Sequence, residues 1–289
     1  MLMEFLIRRL IALAVIAFFI LVGSFWLRSP PPPPQVEAAG AQAGIPEACA
    51  RGSRAGPADL DKKIRTADGL HVVVRTPKDY DPERAYPLIV VYPPARMSPR
   101  RSEFFYDLTT QATSRGFILA YSNHMPLTRE AIAAQAKVAA TVQKLFCIDG
   151  AAITFLGHSD GGSIAEGLVT FGRSFTAPPE NVVASAAGVT RADLAEAACP
   201  RVPAIMIVHN PADRLFPDFG RAAAEYWRRC ASCSATRARK TKSGCMEFKG
   251  CSDGRRVVYC ETRAPHSAWP QLNAEILNFI QGRPLFRAP

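Results

Sequence analysis

The stretch Ala152–Leu168, AITFLGHSDGGSIAEGL, decides the fold. Its first part, Ile153-Thr154-Phe155-Leu156, is apolar and rich in β-formers, so it predicts a buried strand. Its last part sets Ile164, Ala165 and Leu168 at helical spacing. Between them Gly157-His158-Ser159-Asp160-Gly161 matches G-x-S-x-G, and Gly162 extends it. A sharp strand-to-helix turn pushes the serine hydroxyl out beyond the sheet edge, and glycines around it avoid crowding that any Cβ would cause. The N–H of the residue after the serine then faces a developing oxyanion. Ser159 is therefore the candidate nucleophile and Asp160 the candidate donor of an oxyanion hole. The plain alternative is a structural Gly-Ser turn.

Strands and helices alternate on both sides of this stretch. Leu70–Val74, Pro87–Tyr92, Gly116–Tyr121, Val182–Ala187, Ala204–Val208 and Arg256–Cys260 read as strands. Arg129–Phe146 carries Ile132, Ala136, Ala139, Gln143 and Phe146 along one helical stripe, and Ala274–Ile280 reads as a closing helix. That order implies a mostly parallel sheet with helices on both faces. The segments between strands are short, so no large lid is expected over the site.

A serine hydroxyl is a weak nucleophile without a base. In a strand–G-x-S-x-G–helix arrangement the chain order is serine, then acid, then histidine. Only His209 and His266 come after Ser159. His209 precedes the best acid and breaks the order. His266 lies between the last strand and the closing helix, so it is the candidate base. Asp213, in His209-Asn210-Pro211-Ala212-Asp213 after the strand Ala204–Val208, is the candidate acid. A carboxylate there fixes the imidazole tautomer and stabilises imidazolium. Asp193 and Asp218 are its rivals. The second oxyanion donor belongs in Pro93-Pro94-Ala95-Arg96, after the strand Pro87–Tyr92. Neither proline can donate, so Ala95 is the first candidate.

The rest of the chain sets the context. Leu10–Leu27 is an uninterrupted run of apolar and small residues, with Arg8-Arg9 before it and Arg28 after. At helical rise the run spans ~27 Å, against a hydrocarbon core of ~30 Å. It reads as a signal anchor, with a cleaved signal peptide as the alternative. Either one exports the remainder of the chain, the arginine pair staying in the cytoplasm. Pro30–Pro34 and the Ala/Gly/Gln stretch after it form a spacer. The expected organisation is therefore 1–28 anchor or signal peptide, 29–48 linker, and 49–289 one domain. About 48% of the residues are hydrophobic, enough for one large core. Eight cysteines in an exported chain imply disulfides. The C-x-x-C of Cys230 and Cys233 leaves zinc as the alternative. The net charge of +10 favours acidic partners, but no nucleic-acid motif accompanies it.

At these motifs the chain resembles the polyhydroxybutyrate depolymerase and feruloyl esterase group of exported α/β-hydrolases. The likeness rests on Thr76–Asp81 before Tyr86–Val91, on Gly157–Gly162, on His209–Asp213 followed by Pro217, and on Trp227–Cys230. It continues in Cys251–Gly254 and Pro265–Pro270. The resemblance implies an α/β-hydrolase fold, a triad of Ser159, Asp213 and His266, ester substrates, no metal or organic cofactor, and a Cys230–Cys251 bridge. The chain departs from that group in three places. Pro93-Pro94 stands where the group has His-Gly. Pro265 stands where it has Gly. Two residues, Ser267 and Ala268, separate the histidine from Trp-Pro where the group has one. Two other functions share these features: an acyltransferase using the same triad, and a non-catalytic exported binding module. The membrane, through the N-terminal helix, and an ester substrate are the expected partners; nucleic acid is not.

Overall fold

The computed structural model describes residues 61–172, 178–236 and 240–285. The expected anchor over 1–28, the linker over 29–48 and the start of the domain lie outside them. No helix among the described residues is long and apolar enough to cross a membrane.

Among the described residues nine strands form one sheet in the order β1-β2-β4-β3-β5-β6-β7-β9-β8. They are β1 Asp61–Arg65, β2 His71–Arg75, β3 Tyr86–Tyr92, β4 Ile118–Ser122, β5 Ile148–His158, β6 Asn181–Ser185, β7 Ala204–His209, β8 Cys245–Glu247 and β9 Arg256–Glu261. The six strands from β4 to β9 across the middle are parallel. β1, β2 and β8 run antiparallel at the two edges. The chain leaves β3 for β4 on one side and returns to β5 on the other. This reversal opens a crevice at the carboxyl ends of β3 and β5, where ligands of open α/β sheets bind.

The helices are α1 Pro99–Tyr106, α2 Thr109–Thr113, α3 Arg129–Ala136, α4 Val138–Gln143, α5 Asp160–Phe171, α6 Arg191–Ala195, α7 Phe219–Cys230 and α8 Asn273–Ile280. Alternate residues of each central strand face opposite layers. Leu88, Val90 and Tyr92 of β3 share one buried apolar cluster with Val138 of α4, Ile164 of α5 and Trp227 of α7. Ile89 and Val91 pack with Tyr106 of α1, Ala112 of α2 and Ile276 of α8. Both faces of the sheet are thus covered, as the near-continuous apolar strands require.

Some local expectations change. The helix expected over Arg129–Phe146 is broken at Lys137, whose N–H bonds to Ala134 O, a tighter i→i−3 contact. The edge strands β1 and β8 and the helices α1, α2, α6 and α7 add to the elements expected from the sequence. Between described residues, the bridges Cys199–Cys230, Cys233–Cys251 and Cys245–Cys260 form. The expected Cys230–Cys251 bridge is therefore wrong. Cys230 lies on the buried side of α7 and meets Cys199. A left-handed residue, Ser232 at φ 53°, turns the chain so that Cys233 meets Cys251. Because Cys230 and Cys233 enter different bridges, they do not form a zinc pair. Such bridges belong to an oxidising compartment.

Candidate active site

β5 ends at His158 and α5 begins at Asp160, so Ser159 alone makes the turn. Its backbone sits at φ 57°, ψ −122°, a costly conformation for a residue with a side chain. Packing holds it there. A Cβ on Gly157 would lie 2.0 Å from Gly161 O, and one on Gly161 would lie 2.1 Å from Tyr92 O. The Ser159 N–H bonds to Ser185 O of β6 at 2.9 Å. The turn is thus clamped between the ends of β3 and β6.

Three loops at this edge of the sheet bring Ser159, His266 and Asp213 into one hydrogen-bonded line. Ser159 Oγ lies 2.9 Å from His266 Nε2, and His266 Nδ1 lies 2.7 Å from Asp213 Oδ2. An ionised carboxylate only accepts, so Nδ1 carries the imidazole proton and Nε2 is free to accept from the serine. Asp213 Oδ1 accepts from the N–H groups of Leu215 and Phe216 at 2.9 and 3.3 Å. Burial works to raise the Asp213 carboxyl. The hydrogen bonds from His266, Leu215 and Phe216, with the charge of His266, outweigh it and hold the group below its ordinary range. The acid therefore stays ionised at neutral pH, as an orienting carboxylate must. The Phe216 ring packs edge-on against His266, with centroids 5.1 Å apart.

Neighbours that sequence reasoning did not assign fix the His266 loop. His158 Nε2 donates to His266 O at 2.7 Å, since a carbonyl only accepts. His158 Nδ1 then accepts from Ser185 Oγ at 2.9 Å. Burial is the main cause that pushes the His158 ring down to about 4, so it stays neutral and keeps this tautomer. Asn210 Nδ2 donates to Ala264 O at 2.8 Å, tying the acid loop to the base loop. His158 and Asn210 both lie inside the motifs that carry Ser159 and Asp213, but their roles are tertiary and have no local signal. His209, which breaks the chain order of a triad, is buried beneath these loops against Gly220.

The two candidate oxyanion donors differ. Asp160 is the first residue of α5, where backbone N–H groups lack partners within the helix. Its carboxylate turns away to His124 Nε2 at 2.9 Å. His124 N–H in turn bonds to Met97 O at 3.0 Å. Ala95 stands in the turn Pro94–Met97, closed by Met97 N–H to Pro94 O, with Arg96 at φ 62°. Ala95 is exposed. Asp193 caps α6 and Asp218 precedes α7, so neither rival acid reaches His266. Among the described residues no cluster of His, Cys, Asp and Glu could hold a metal ion.

No family model and no curated protein matches the chain. Solved structures do match in fold. An acetyl xylan esterase from Aspergillus awamori aligns at TM-score 0.57 and 10% identity, over 76% of this chain and 98% of that one. A fluorophosphonate-binding serine hydrolase F of Staphylococcus aureus aligns at 0.55 and 10% identity, over 78% and 99%. A truncated carbohydrate esterase from gut microbiota aligns at 0.54 and 14% identity, over 78% and 98%. The fold of this chain is that of the α/β-hydrolases.

Proposed function

We propose that this chain is a serine hydrolase that cleaves carboxylic esters through an acyl-enzyme. The observation that carries the reading is the continuous line Ser159 Oγ–His266 Nε2, His266 Nδ1–Asp213 Oδ2 at the crevice of the sheet. His266 takes the Ser159 proton as the hydroxyl attacks the ester carbonyl. The oxyanion that forms accepts from the N–H groups of Asp160 and Ala95. His266 then gives its proton to the leaving alkoxide, which departs as alcohol. Water, deprotonated by His266, attacks the acyl-enzyme and releases the acid and Ser159. Asp213 keeps the ring oriented and stabilises the imidazolium at each protonated stage. No step calls for a metal or cofactor.

Two of the solved structures with this fold are named for esters of xylan or carbohydrate, which agrees with an ester as the substrate class. We place the domain outside the cytoplasm, in keeping with its disulfides, and anchored through Leu10–Leu27. Membrane fractionation with N-terminal sequencing tests the anchor. A mature chain that starts after Ala43 contradicts it. The activity is tested with a series of 4-nitrophenyl esters. Ser159→Ala should lose ~10⁴–10⁶ in turnover while keeping its circular dichroism spectrum. Wild-type turnover by that variant refutes the reading.

A further inference from the structure

A second feature borders the triad. A groove of about 580 Å³ runs between α1 and the loop after His266. Arg100, Arg101, Phe104 and Phe105 line one side, and Ala268 and Trp269 the other. Its wall is continuous with the site, because the Phe105 ring lies 5.4 Å from that of His158. No Asp or Glu lines it.

Glu103, the nearest carboxylate on α1, is turned to Arg75, which grips it through two bonds of 2.6 and 2.8 Å. Thr109 adds a third at 2.9 Å. Arg100 reaches Glu103 at 3.4 Å, and the Arg101 side chain has no acidic partner among the described residues. The first turn of α1 holds no acidic residue, so the Arg101 guanidinium sits uncompensated at the positive end of a helix dipole. Beside it Phe104 is 89% exposed, the most exposed large hydrophobic side chain described. An uncompensated guanidinium and bare aromatic surface together suit one kind of guest, a ring or short apolar body bearing a carboxylate. Arginine binds a carboxylate through its planar fork, and the rings cover the apolar part.

We propose that this groove binds the alcohol part of the ester and selects one that carries a carboxylate on an aromatic or apolar body. The proposal rests on the ester hydrolase reading above. It assigns the alcohol side because His266 must reach the leaving oxygen, and the groove begins at the residues just after His266.

The test compares 4-acetoxybenzoate with its methyl ester as paired substrates. The methyl ester has the better leaving phenol, so intrinsic reactivity favours it. The readout is the ratio of kcat/KM for the anion over the neutral ester. Arg101→Ala should lower that ratio about five- to tenfold, the scale of one charge-assisted hydrogen bond. Adding Arg100→Ala should lower it further, and raised salt should do the same in the wild type. Arg201→Ala removes one exposed charge elsewhere and should leave the ratio unchanged. A ratio that Arg101→Ala keeps within twofold overturns the proposal. If neither ester is turned over and a fluorophosphonate fails to label Ser159, the hydrolase reading has failed. Binding of 4-hydroxybenzoate, followed by calorimetry, then decides the groove alone. Binding weakened by Arg101→Ala supports it, and no binding overturns it.

Discussion

Two loops at the same edge of the sheet would hold the reacting carbonyl, and they are built in opposite ways. The turn after β5 is locked. Ser159 is strained, but the backbones of Tyr92, Gly161 and Ser185 leave it no other path. The turn after β3 is tied at its two ends, where the Tyr106 hydroxyl donates to Tyr92 O at 2.7 Å and the His124 N–H bonds to Met97 O at 3.0 Å. Its tip, Ala95 and Arg96, is exposed. The contrast teaches where tolerance lies. A nucleophile must be placed to a fraction of an ångström, so packing fixes its turn from three sides. A single N–H donor, the role proposed for Ala95, asks less of its turn, whose tip stands open to solvent.

The comparison breaks first at Gly161. Gly161→Ala would drive a Cβ into Tyr92 O, backbone against backbone. Urea denaturation should show a loss of roughly 3 kcal/mol or more, in the range of severe steric mutations. Ala95→Gly, at the open tip, should stay within about 0.5 kcal/mol. Equal losses would remove the distinction.

The second test works on chemistry. Ala95 occupies the second position of a turn whose third residue, Arg96, is left-handed, a position that accepts proline. Ala95→Pro should therefore fold and delete one donor. Turnover should fall ~10²–10³, or ~2.7–4 kcal/mol, with a smaller change in KM. Wild-type turnover would mean that another group fills the hole.

The third test uses pH, because the locked turn backs onto buried groups that titrate between pH 4 and 7. Burial raises Glu166 of α5 from 4.5 to about 7, and the hydrogen bond from Trp227 only partly opposes it. The folded state thus binds more protons than the unfolded state between those values. Its contribution is full below pH 4.5 and is lost as pH rises through about 7. The loss amounts to roughly 3 kcal/mol at most. Glu166→Gln should flatten that decline in stability curves taken from pH 5 to 8. His158 acts with the opposite sign, its contribution being lost as pH falls from 6.5 toward about 4.

A fourth test concerns Arg96 at the same tip. Arg96→Gly should relieve its left-handed strain and raise stability by about 0.5–1 kcal/mol without changing turnover. A loss of stability would show that the side chain is needed at the tip.

Much of this site could be read from the chain because its parts are local. The strand Ile153–Leu156, the glycines around Ser159, and single polar residues after β7 and β9 are adjacent in sequence to the elements that place them. The rest depended on contacts distant in sequence. Nothing near His158 signals that its ring would hold the His266 carbonyl, 108 residues on. Asn210 and Ala264 are 54 residues apart. The cysteine pairing turned on one left-handed residue, Ser232, which spacing does not reveal. The helix α1 was hidden because Pro99–Tyr106 is rich in arginine, and only Ser102 and Tyr106 of its last six residues are fully buried.

The most direct test of the central claim is fluorophosphonate labelling of the folded protein, followed by peptide mapping. The account predicts a single adduct on the peptide that carries Ser159, lost in Ser159→Ala and strongly slowed in His266→Gln. A folded protein whose Ser159 peptide stays unlabelled, or one that labels as fast without His266 as with it, would contradict it.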